Sequence, residues 1–64
     1  MFIGNTVYHK GRVVKQLDKE TWIFEVEGKL YKNRLQICLD NPVELSVGVE
    51  FEISDLALEA SDLI

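Results

Sequence analysis

The sequence predicts a small all-β domain: a five-stranded antiparallel barrel, followed by a C-terminal segment that is either a short docked helix or an acidic tail. Three observations carry this expectation. Val, Ile and Thr make up 14 of the 64 residues and six aromatics join them, whereas alanine occurs only at Ala57 and Ala60; branched and aromatic side chains suit a pleated, half-buried surface. Apolar and polar residues alternate over Trp22–Val26 and again over Val49–Ile53, the period of a strand with one buried face. The four glycines fall at punctuation points, and closure into a barrel is the economical way for so short a chain to hide its strand edges.

In chain order, Gly4-Asn5 precedes a first strand, Thr6–His9, and Lys10-Gly11 marks a bend or bulge before a second, Arg12–Leu17. Asp18-Lys19-Glu20 reads as a turn into the third strand, where Trp22, Phe24 and Val26 share a face. Glu27-Gly28 is a two-residue hairpin turn, glycine supplying a positive φ. That loop pairs Val26 with Lys29, Phe24 with Tyr31 and Trp22 with Asn33. The return strand then carries Leu35, Ile37 and Leu39 on the same face and Leu30, Lys32, Arg34 and Gln36 on the other. Asn33 is the misfit on the inner side, which implies a bulge or bend there. Asp40-Asn41-Pro42 has turn chemistry. Gly48 lets the chain turn sharply into the last strand, Val49–Ile53. Ser54 is an N-cap, and Ile53 with Leu58 forms a hydrophobic staple. A helix of about ten residues would put Leu56, Ala60 and Leu63 on one face, and a helix that short persists only if it docks. The expected division is a barrel over 1–53 and a tail or helix over 54–64.

Sixty-four residues make one domain, burying only about 60% of the surface its unfolded chain exposes. A single cysteine, Cys38, forms no internal disulfide, and with the single histidine, His9, it falls short of a zinc site. No metal and no cofactor is expected. No apolar stretch approaches the ~18 residues of a membrane span, and Met1-Phe2-Ile3-Gly4-Asn5 lacks the basic and apolar regions of a signal peptide. A lone free thiol suits a reducing compartment, so the expected location is the cytoplasm.

Gly4-Asn5-Thr6-Val7-Tyr8-His9 followed by Gly11-Arg12-Val13-Val14, then a hairpin and a strand ending near Arg34-Leu35, resembles the layout of SH3-like barrels of the Tudor and KOW kind. The likeness covers roughly residues 4 to 39. It departs from that pattern in lacking the usual second glycine in the bend and in adding an acidic C-terminal segment. The resemblance implies a binding module for protein or nucleic acid rather than an enzyme, and it assigns no functional residue.

Charge is the sequence's most unusual feature. All seven basic side chains lie in residues 1–34 against four acids, a net of +3. Residues 35–64 hold seven acids and no base, a net of −7, which together give the overall −4. Three readings compete. In the first, acidic and basic strands simply pair across the sheet. In the second, an acidic and apolar face of Glu44, Glu50, Glu52, Asp55, Glu59 and Leu63, with Asp62, Leu56 and Ile64 nearby, docks on a larger basic protein. In the third, a basic face of Tyr8, Lys10, Arg12, Tyr31, Lys32 and Arg34, with His9, meets RNA or DNA phosphates, although a field of −4 repels a polyanion at long range.

Catalytic chemistry finds little support. No phosphate-binding glycine loop, HExxH or EF-hand pattern is present. His9 reads as a surface or edge residue, Cys38 as a small hydrophobe, and a Cys38–His9 dyad has no supporting motif. Trp22, Phe24, Tyr31 and Phe51 read as core. The expectation is a non-enzymatic interaction module with a larger protein partner; nucleic-acid binding and self-association through an open edge strand are the alternatives.

Overall fold

The computed structural model describes residues 6–41 and 43–64; Gly4-Asn5, expected to precede the first strand, and Pro42, expected in the turn after the return strand, lie outside the described residues. Five strands form one antiparallel sheet: β1 (Tyr8–Gln16), β2 (Trp22–Val26), β3 (Lys29–Asn33), β4 (Glu50–Ser54) and β5 (Asp62–Leu63). Their spatial order is β4-β1-β2-β3-β5. Two short helices, α1 (Leu35–Cys38) and α2 (Asp55–Glu59), interrupt the strands. Among the described residues the strands number five, as expected, but they are not the same five.

The β2–β3 hairpin has the expected register, Val26 opposite Lys29, Phe24 opposite Tyr31 and Trp22 opposite Asn33. Glu27 and Gly28 both have positive φ, 51° and 79°, the turn geometry whose twist matches that of the flanking strands. Upstream, Asp18 holds the β1–β2 connection: its Oδ1 accepts the Glu20 and Thr21 amides at 2.9 and 2.8 Å. These bonds favour the ionised carboxylate and hold it below its ordinary 3.8.

The expected break at Lys10-Gly11 is absent. Residues 8–16 run as one strand, and the irregularity lies further on, between Val13 and Lys15. Gly11 serves packing instead. It faces Val26 on one side and Phe51 on the other, and a Cβ there would sit 2.7 Å from Phe51 Cζ and 2.9 Å from Cε2. The Phe51 ring occupies the space a side chain would fill. It meets Phe24 edge-on, centroids 5.5 Å apart at 74°, and Phe24 stacks on Tyr31 at 5.8 Å and 20°. Val13, Trp22, Val26, Leu35, Leu39 and Ile53 complete the buried core. The Trp22 indole Nε1 is buried without a hydrogen-bond partner among the described residues, a cost of about 1–3 kcal/mol.

The return strand does not continue to Leu39. It ends at Asn33 and gives way to α1, so the period-2 reading of Leu35, Ile37 and Leu39 is corrected: Leu35 and Leu39 are buried four residues apart, while Ile37 is 70% exposed. The reason is the loss of partners. β2 begins at Trp22, opposite Asn33, so nothing on that side extends the ladder. The Asn33 side chain accepts the Arg34 amide at 2.7 Å and donates to Ser61 Oγ at 2.8 Å. The residue that looked out of place on the inner face is the tether between β3 and the C-terminal segment.

That segment also departs from expectation. Ser54 does cap the helix, accepting Ala57 N–H at 3.2 Å, and Leu58 packs against the core cluster that contains Ile53. But α2 has five residues, not about ten. Ala57 and Leu58 face inward, Leu56 is 78% exposed and Leu63 is 63% exposed, so no Leu56–Ala60–Leu63 face exists. The Ser61 hydroxyl donates to Ala57 O at 2.9 Å, and the chain then joins the sheet as β5, with Ile64 N–H donating to Leu30 O. Gly48 keeps its expected role: φ is 92° and its amide bonds Val13 O at 2.9 Å.

This topology requires a strongly curled sheet. In a flat one, Ser54 opposite Tyr8 and Asp62 opposite Lys32 would stand about 30 Å apart, given four strand spacings and the offset along β1. Residues 55–61, mostly one helical segment, reach about 18 Å.

Two predictions follow from the packing and the turn. Gly11→Ala should cost about 1–3 kcal/mol in urea unfolding through overpacking, and the cost should shrink in a Phe51→Leu background. An undiminished cost would mean that Phe51 is not what excludes a side chain there. Glu27→Asn should raise stability by up to about 1 kcal/mol, because asparagine tolerates positive φ better.

Candidate functional site

A groove of about 430 Å³ runs beside β4, lined by Tyr8, Lys10, Asp40, Asn41, Val43, Glu50, Phe51 and Glu52. Strand alternation builds one wall. Tyr8, Lys10 and Arg12 share the face opposite Gly11 and Val13, and pairing sets Lys10 across from Glu52 and Arg12 across from Glu50. The other wall is the segment after α1, held by Tyr8, whose hydroxyl donates to Asp40 Oδ2 at 2.7 Å. That bond exists only for the protonated phenol, so it raises the Tyr8 pKa above 10.0.

Of the acidic and apolar candidates, Glu50 and Glu52 stand together in this groove. Glu44 lies exposed in the segment between Pro42 and the Gly48 turn. Asp55, at the start of α2, accepts His9 Nε2–H at 2.8 Å, so it is already engaged. Glu59 ends α2, and Leu63 lies on β5. Of the six residues only Glu50 and Glu52 line this groove.

The basic candidates are dispersed as well. Tyr8 and Lys10 line the β4 groove. Tyr31 is half-buried and stacked on Phe24. Lys32 and Arg34 border a separate hollow of about 350 Å³ that also contains Asp18 and Asp62. Each meets an acid: Arg12 lies between Glu50 and Glu25 in the register, 3.7 Å from the former; Lys32 pairs across from Asp62; Arg34 is 3.6 Å from Glu20. Such exposed pairs contribute a few tenths of a kcal/mol. The register converts the segregation along the chain into local alternation on the sheet.

Sequence reasoning missed Asp40 as a groove residue and Asp55 as the partner of His9. Both contacts join residues far apart in the chain: the one to Asp55 follows from the β1–β4 register and the one to Asp40 from the path of the chain after α1, neither of which a local pattern announces. Cys38 donates to Leu35 O at 3.8 Å, and burial pushes its thiol above the usual 9.0, which makes it a weak nucleophile at neutral pH. Cys38 and His9 are each bonded elsewhere and not to one another.

The Tyr8–Asp40 bond makes a pH prediction. Because the folded-state pKa is raised, the bond's stabilisation is complete below about pH 10 and is lost as pH climbs through the folded value. In a Tyr31→Phe background, ultraviolet titration should show Tyr8 ionising above 10.0. Asp40→Asn should bring it down, and an unchanged midpoint would break the assignment.

Among the described residues no group of three or more His, Cys, Asp or Glu is placed to hold a metal ion, and no helix is long and apolar enough to cross a membrane. Set against known protein families, curated proteins and solved structures, the chain matches none.

Proposed function

We propose that the chain is a non-enzymatic interaction module that docks on a larger, basic protein through the acidic and apolar groove beside β4. One observation carries this reading: three carboxylates, Asp40, Glu50 and Glu52, line the groove against a single ammonium group, Lys10, with Tyr8 and Val43 as apolar contacts. The overall charge of −4 adds attraction for a basic partner at long range and speeds encounter. The engagement of His9 by Asp55 and the raised thiol of Cys38 favour binding over catalysis, and the free thiol suits the cytoplasm.

An SH3-like barrel is the finer fold that accompanies this reading. It is supported by the curl of the sheet and by the short link through α2 from one edge strand to the other.

The test is affinity capture from nuclease-treated native lysate with the wild-type chain and with E50Q/E52Q, which removes charge while keeping shape. The wild type should retain a partner that E50Q/E52Q loses, whereas E59Q, outside the groove, should keep it. Capture of the same partner by E50Q/E52Q, with circular dichroism unchanged, overturns the reading.

A further inference from the structure

We infer that β4 is a strand-addition edge, built to accept an extended segment with basic residues at alternate positions, antiparallel to β4. The inference rests on the docking reading and specifies its geometry.

The backbone provides the first argument. Val13 N–H bonds Val49 O at 2.9 Å, and Asp55 N–H bonds Val7 O at 2.8 Å. Antiparallel pairs alternate between those that exchange hydrogen bonds and those that do not. Between these two fixed points, Phe51 and Ile53 therefore direct their amides and carbonyls at β1. Those of Glu50 and Glu52 point away from β1, and no described residue bonds them. β4 ends the strand order, so these groups form an open ladder of the kind that a peptide strand completes. The opposite edge is different: β5 is only two residues long, a blunt end.

Charge then selects the occupant. A strand bonded to Glu50 and Glu52 places its directly opposed side chains on the same face as those two carboxylates, where opposite charge is favourable and like charge is not. A second copy pairing β4 with β4 in antiparallel fashion would set glutamates against glutamates. A segment reading Lys/Arg–apolar–Lys/Arg sets cations there instead, and its central apolar side chain falls on the Phe51 side of the strand.

A capped fluorescent peptide of alternating lysine and valine tests this by anisotropy against the whole chain. The amides that meet Glu50 and Glu52 belong to the lysines, so N-methylation of the lysine amides should weaken binding tenfold or more. N-methylation of the valine amides, which face away, should leave it within about twofold. Amide hydrogen exchange at Glu50 and Glu52 should slow on binding. Equal binding by both methylated peptides, or by a block peptide of the same composition, overturns strand addition and leaves charge-driven docking intact. Failure of every peptide to bind also overturns strand addition, and the E50Q/E52Q capture then judges the docking reading separately. A light-scattering dimer mass for the free chain would show self-association and overturn the open-edge assignment if E50Q/E52Q alters it.

Discussion

The fold depends on a vacancy. At Gly11 strand β1 carries no side chain, and the Phe51 ring from the neighbouring edge strand β4 lies in that space. From there the ring reaches Phe24 edge-on, and Phe24 reaches Tyr31 by stacking. Three aromatic rings thus run across the sheet from β4 to β3, passing over the strand between. Edge-to-face and offset-stacked pairs add about 0.5–1.5 kcal/mol each beyond the area they bury. A chain without disulfide or metal has few other ways to concentrate that much apolar contact in so small a volume. The same close approach locks β4 in register with β1, and that register decides which side chains meet on the outer face.

The polar surface follows from it. With Gly11 opposite Phe51, Arg12 must stand opposite Glu50 and Lys10 opposite Glu52. The lopsided charge along the chain is largely neutralised by the sheet, and the carboxylates in excess collect beside the edge. A one-residue slip would turn Glu50 and Glu52 inward and Phe51 outward. Core packing and the chemistry of the groove are therefore one constraint, not two.

What was legible in the sequence was local. The β2–β3 hairpin was readable to the residue pair, because Glu27-Gly28 and the alternation of Trp22, Phe24 and Val26 agree on one register. The Ser54 cap and the Gly48 turn were readable for the same reason: each depends on a few neighbouring residues. The misreadings had a common source in contacts between distant segments. Leu35 and Leu39 fit either period, and only the absence of a strand partner beyond Asn33 made the segment helical. Gly11 looked like a break because its partner, Phe51, lies 40 positions away in the chain. The site was less legible still. Glu50 and Glu52 were marked by alternation, but Asp40 and the Tyr8 contact that brings it to them were not.

Loop-closure entropy ranks the pairings in time. The two-residue hairpin joins β2 and β3 at almost no cost in chain freedom, and β1 follows across the short Asp18 turn. Pairing β4 with β1 must close most of the chain in one step, and non-local closures of that kind are the slow part of folding. Local opening retraces the same order, with edge elements at the low end of the stability range. By this ranking the strand that carries Glu50 and Glu52 orders late and loosens early. An added strand that completed its ladder would act as a clasp, holding Phe51 over Gly11 and raising the free energy of opening for the whole sheet.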